Sequence, residues 1–300
     1  MASRTRDLYR SLLDKHLMPE WGGVVLTEVT SPAIRAWFGG LDRSKPRAVA
    51  NAYSLMKTIL ETAVSDELIP TNPCKIKGVS YRRAKEPSMA TFAEVADLRA
   101  AMPGHYRCAI DLGPWASLRI GDVIGLQRAD VFLSEASSPD QRGTIFVRRS
   151  IGRTRGGREE SLPKTRAGTR DVPLPPHIIP VLREHLATHC GGGRTDWVFP
   201  SAADPRVNVS ADVLREAFET ARRKVHREDL VFHNLRGIGA TLAAQAGATV
   251  RELQDRLGHA TPNMALAYQR VAQDRPRQVA EALSRMVADD QLARDVERDG

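Results

Sequence analysis

Helix starts and stops recur along nearly the whole chain and restrict it to a mainly helical fold. Thr30 or Ser31 offers an N-cap ahead of Pro32, and Gly39-Gly40 marks a stop. Proline is tolerated at a first helical position because the N–H it lacks would be unpaired there anyway. From Arg47 to Asp66, Val49, Tyr53, Met56, Leu60, Ala63 and Val64 recur at helical spacing. Thr91 and Glu94 form a capping box, each satisfying the other's orphan amide, and helical text continues from there to about Gly125. Thr249 and Glu252 form a second box, and the helix they open closes on the glycine cap Leu257-Gly258. PHIIPVLREHL and VSADVLREAFETARRKV also carry a helical period. The exception lies mid-chain, in GTIFVRRSI and TRDVPLP. There Ile145, Val147, Arg149 and Ile151 alternate with the period of two of a half-buried strand. The expected fold is mainly α, with one small β-hairpin or sheet whose two strands are joined by a long basic loop.

Three hundred residues suggest two domains. LIPTNPCKIKG breaks the helical pattern with two prolines and a glycine, and VSYRRAKEPS follows as a basic connector. We therefore expect a helical domain over residues 1–78, a linker over 79–88, a larger domain over 89–275 and a tail over 276–300. In the tail Val279, Ala282, Leu283, Met286 and Val287 share one helical face. No apolar run approaches the roughly 18 residues of a membrane span, and the amino terminus has no apolar signal-peptide core. Cys74, Cys108 and Cys190 are too scattered for a zinc framework and read as free thiols in a reducing, cytoplasmic setting.

Charge narrows the partner. Of the formal net +8, +7 falls between Arg142 and Arg170, where nine basic residues face Glu159 and Glu160. So one-signed a run attracts a polyanion, and arginine suits phosphate oxygens bidentately. Nucleic acid is the leading partner. Its candidate contacts are Arg148, Arg149, Arg153, Arg155, Arg158 and Arg166 in this run, with Arg82, Arg83 and Lys85 in the linker. A solvated charged face is the plainer alternative.

The stretch HNLRGIGATLAAQAGATVRELQDRLGHATPNMALAY, from His233 to Tyr268, places polar groups at its caps and turns while Leu242, Leu253, Leu257, Met264 and Leu266 supply apolar stripes. His233 and Arg236 are three apart at a helix start and share a face. His259 follows the glycine cap, and Pro262 opens a third helix that holds Tyr268. The series His-x-x-Arg, Leu-Gly-His and a tyrosine nine residues later resembles the signature of the tyrosine recombinases, the phage integrase family. Upstream, WASLRIGDVIGL resembles the segment of its first arginine, giving Arg119 with Asp122 in support, and KTRAGTRDVPLP resembles the turn of its lysine, giving Lys164. Three positions depart from the family's habit: Ser117 for glycine, Asp122 for glutamate, and Gly237 where a histidine or larger residue is common.

The resemblance implies a two-domain DNA clamp, with a helical, SAM-like core-binding domain ahead of the catalytic domain. It implies a site-specific recombinase that cleaves and rejoins strands through a 3′-phosphotyrosyl intermediate, with no metal, ATP or other cofactor. Tyr268 would be the nucleophile, His233 its base, and His259 a donor to the scissile phosphate. Arg119 and Arg236 would stabilise the transition state, and Lys164 would be the general acid. It further implies a homotetramer on double-stranded DNA, with the tail docking on a neighbouring protomer, and leaves room for accessory proteins that bend DNA or set direction. Taken singly, each residue has a plain alternative: a capping histidine, an Arg119–Asp122 ion pair, a backbone-contacting lysine, a packing tyrosine. A type IB-like topoisomerase and a non-catalytic DNA-binding protein of the same fold stay open. A metal-dependent hydrolase is disfavoured, because no carboxylate accompanies His233 and His259 at ligand spacing.

Overall fold

Side-chain caps decide where several of the described helices begin. The computed structural model describes residues 3–79, 89–161, 168–258 and 262–271, together with 280, 281 and 284. The chain divides into two compact units, Met1–Glu86 with Arg153–Arg158, and Pro87–Gly152 with Glu159–Gly300.

In the first unit α1 (Ser3–Leu12) continues through a π-helical turn at Leu13–Leu17 into α2 (Met18–Trp21). Pro19 follows that turn and has no N–H for the carbonyl one turn back, a local reason for the widened winding. The Thr30 hydroxyl accepts from the Ala33 amide and starts α3 (Ser31–Gly40), and α4 (Pro46–Ser65) follows. The apolar stripe of α4 buries Ala52, Tyr53, Met56, Leu60 and Ala63 against Leu12, Leu17, Ile34 and Trp37. Two aromatic side chains of this core make hydrogen bonds: Trp37 Nε1 donates to the His16 carbonyl (3.0 Å), and Tyr53 Oη accepts from the Ile76 amide (2.8 Å).

The second unit opens with α5 (Phe92–Ala101), held by the Thr91–Glu94 box in both directions (3.2 and 2.7 Å). The helical text expected to run on to Gly125 is broken twice. Met102 is extended because Pro103 follows it, and Ser117 takes a left-handed conformation (φ 54°) between α6 (Arg107–Trp115) and α7 (Ile120–Ile124). Next come β1 (Val131–Leu133), β2 (Gly143–Val147), β3 (Ser150–Thr154), β4 (Gly157–Ser161) and β5 (Arg170–Pro173). β2 and β5 pair antiparallel, with Ile145 opposite Val172 and Val147 opposite Arg170. The small sheet expected here is present and is larger than its two expected strands on two counts. β1 adds a third strand beside β2, and β3 with β4 forms a separate two-stranded hairpin inside the presumed basic loop. Ile145, Val147 and Ile151 nevertheless all enter one core, Ile151 from the second sheet.

The remaining helices are α8 (Ile179–His189), α9 (Ala211–Lys224), α10 (Phe232–Gln245), α11 (Val250–Leu257) and α12 (Pro262–Val271). The Thr249–Glu252 box opens α11, and Gly258 closes it at φ 60°, a conformation glycine adopts without a Cβ penalty. No helix among the described residues is long and apolar enough to cross a membrane. Of the linker expected over 79–88, Val79 alone is among the described residues. Val279, Ala282, Leu283, Met286 and Val287 of the tail lie outside the described residues.

Candidate active site

Two glycines let α6 and α10 cross with their backbones touching. A Cβ on Gly239 would sit 1.9 Å from the Pro114 carbonyl oxygen, and one on Gly113 would sit 2.7 Å from Leu235 Cβ. This crossing carries the turn after α6 to the first turn of α10. There the Arg236 guanidinium donates to the Ser117 carbonyl on one side and to the Leu257 carbonyl, at the end of α11, on the other. The left-handed Ser117 turn presents that carbonyl, and Gly258 immediately follows Leu257. Arg236 is 1% exposed. Burial first, then the like charges of Arg119 and Arg170, pull its pKa down to about 9.

Arg119 caps α7. Its backbone N–H donates to Asp122 Oδ2 (3.2 Å), while its guanidinium stays 3.9 Å from the same oxygen and its side chain is 39% exposed. Asp122, 3% exposed, has a second partner in Arg170, whose Nη2 lies 3.2 Å from Oδ2. Arg170 is itself buried and also donates to the carbonyls of Arg256 (2.9 Å) and Gly168 (3.2 Å). Arg256 in turn donates to the carbonyls of Pro173 (3.2 Å) and Trp115. Four guanidiniums thus gather with Asp122 among them.

His233 is exposed at the start of α10. Partial withdrawal of its ring from water, then the charges of Arg236 and Arg119, hold its pKa below the usual histidine value, so the imidazole is neutral at pH 7. Tyr268, half-buried on α12, reaches the same place. A Cβ on Gly237 would lie 3.8 Å from a ring carbon and 3.9 Å from the phenol oxygen. The bare backbone at Gly237, where the family commonly has a larger side chain, leaves ordinary contact room for that ring.

The structure brings together Arg119, Asp122, His233, Arg236 and Tyr268. Lys164 and His259 lie outside the described residues, as do Arg82, Arg83, Lys85 and Arg166. Of the remaining expected DNA contacts, Arg153, Arg155 and Arg158 are exposed at the tip of the β3–β4 hairpin, where the Arg155 amide donates to Asp7 (2.9 Å). Arg148 is half-buried and paired with Asp171 (2.7 Å). Arg149 is a correction. It is 18% exposed, and its guanidinium is taken up by Asp130, the Gly125 carbonyl and Glu160, so it serves the fold. Arg170, counted in the same basic run, also points inward. Sequence reading gave neither Arg170 nor Arg256 a place in the site; the only available signal was Arg170's position at the head of the TRDVPLP strand.

Comparison with known proteins settles the family. Residues 88–275 match the Phage integrase family. A putative prophage phiRv2 integrase of Mycobacterium tuberculosis is 38% identical over 291 residues, spanning 96% of this chain and 76% of the relative. The chain belongs to the phage integrase family. It is accordingly a site-specific DNA recombinase, an enzyme that cleaves and rejoins DNA strands, and the topoisomerase and non-catalytic alternatives are set aside. Among solved integrase structures, that of the Tn1549 transposon integrase in complex with transposon right end DNA shares the fold. Its TM-score is 0.71 at 20% identity, covering 93% of this chain and 92% of that one. A lambda integrase tetramer bound to a Holliday junction gives a TM-score of 0.61 at 19% identity, covering 90% and 72%.

Proposed function

We propose that Tyr268 is the nucleophile of this integrase and that Arg119, Arg236 and His233 serve it directly. The observation that carries this reading is the meeting of all four side chains around the first turn of α10. A phenol with a pKa near ~10 needs a base to attack at neutral pH. The neutral imidazole of His233 accepts the proton as the phenol oxygen attacks the scissile phosphorus. Negative charge then grows on the non-bridging oxygens. The accessible guanidinium of Arg119 and the fixed one of Arg236 stabilise it without reorganising. By the family pattern, Lys164 protonates the departing 5′-oxygen and His259 donates to the phosphate. The products are a 3′-phosphotyrosyl bond and a 5′-hydroxyl. The bond energy is retained, so rejoining needs no ATP.

Duplex DNA is the substrate. Arg153, Arg155 and Arg158, with the basic linker residues Arg82, Arg83 and Lys85, supply the phosphate contacts, so binding weakens steeply with salt. Recombination joins two sites, and four protomers assemble on them, as in the lambda tetramer. The test is a nicked suicide substrate carrying the DNA that flanks the encoding gene, run on a denaturing gel. The wild-type chain forms a covalent protein–DNA product. Tyr268→Phe binds with unchanged affinity and forms none. Adduct persisting in Tyr268→Phe overturns the assignment.

A further inference from the structure

We propose that Arg170 is a positioning residue for strand cleavage, drawing Asp122 away from Arg119 so that the Arg119 guanidinium stays available to the scissile phosphate. The inference rests on the site reading above and extends it to a residue buried behind the site.

The geometry gives Asp122 two competing cations and lets the buried one win. Its Oδ2 lies 3.2 Å from Arg170 Nη2 but 3.9 Å from Arg119 Nη1, although Arg119 is held beside it by the cap at its own backbone amide. A carboxylate so close to Arg119 would ordinarily close a tight pair and neutralise it. Arg170 prevents that from inside. Its guanidinium is fixed by the carbonyls of Arg256 and Gly168, so it cannot swing toward solvent and release the carboxylate. The side chain of Arg119, the more exposed partner, remains open to solvent.

A role in the fold alone accounts poorly for this choice. A buried cation is costly unless well paired, and an apolar residue of similar size often replaces a buried ion pair without loss. Here the cation sits among Arg119, Arg236 and Arg256, where burial and like charge both disfavour it. Its place beside Asp122 is explained if the function of the pair is to set the charge presented by Arg119.

Single-turnover cleavage of the suicide substrate at saturating protein provides the test, with melting temperature and DNA affinity measured alongside. Arg170→Gln leaves Asp122 free to close on Arg119, and cleavage slows about 100-fold, the scale of a displaced reacting group. Adding Asp122→Asn keeps an oxygen acceptor for the Arg119 amide but removes the charge that ties down its guanidinium. The double variant therefore recovers about tenfold relative to Arg170→Gln. A purely structural role predicts that the second change slows cleavage further or leaves it alone. Either result overturns the inference, as does an Arg170→Gln rate within twofold of wild type. Should Arg170→Gln fail to fold, Arg170→Lys is read in its place, because it keeps the buried charge while losing the fork that grips Asp122 and the two carbonyls. Wild-type adduct formation through Tyr268 is measured in the same series, so loss of the site reading itself shows separately.

Discussion

The interiors of the two units are built from different materials. Among the described residues, every buried charged side chain belongs to the second unit: Asp111, Asp122, Asp130, Arg170, Arg227 and Arg236. The first unit is closed by hydrocarbon and aromatic rings, with Trp21 edge-on to Trp37 and Phe38 edge-on to Tyr53. The second unit is also internally uneven. Asp111 is matched by Arg99, Asp130 by Arg149, and Arg227 by Glu94 and Asp229. Around Asp122, by contrast, guanidiniums outnumber the carboxylate. Each buried ion costs several kcal/mol of hydration. The contrast teaches that the matched pairs tie loops to the body, whereas around Asp122 several guanidiniums share one carboxylate, the arrangement that the proposed phosphate site needs.

The contrast can be broken at either end. Trp37→Ala empties the first interior and removes the bond to the His16 carbonyl; it should cost about 3–5 kcal/mol, read as a lower urea midpoint. Arg236→Met should slow cleavage by the folded protein about 10²–10³-fold, with a moderate fall in melting temperature because the buried Ser117 and Leu257 carbonyls lose their donor. A collapse in stability there would show that the buried charge serves the fold. The position of His233 in this field can be sharpened by NMR titration. Burial and two neighbouring arginines lower its pKa, so its midpoint should fall below 6.5. The acid limb of cleavage should fall with it, because the base is lost only as pH drops through that midpoint. Arg119→Gln, which removes one repelling charge, should move the midpoint upward. The smallest effect belongs to a purely local device: Thr249→Ala should cost about 1 kcal/mol, measured by thermal melting, with little change in cleavage by the folded protein.

What was legible in the sequence follows the range of the interactions. The boxes at Thr91–Glu94 and Thr249–Glu252 and the Gly258 cap are settled within four residues, and the structure has them where they were expected. The meeting of Arg119 with Arg236 and Tyr268 spans more than a hundred residues; no periodicity predicts it, and only the family signature pointed to it. The fate of the basic run was misread because a count of charges carries no direction. Arg149 and Arg170 turn inward to aspartates at 130 and 122, partners distant in sequence. The extra strands were missed for a related reason. VFL is three residues long, and GREES has no apolar alternation, so each is a strand only by virtue of its neighbour.

The cluster around Asp122 also bears on the enzyme at rest. Without DNA, its guanidiniums repel one another across a partly dehydrated space, and that repulsion is a standing load on the folded state. Any small oxyanion able to reach Arg119 relieves it and binds the folded chain in preference to the unfolded one. Thermal stability should therefore climb with added sulfate or inorganic phosphate beyond what equal ionic strength of chloride provides, and the same ions should compete with the scissile phosphate. The choice of buffer becomes a variable of the reaction itself.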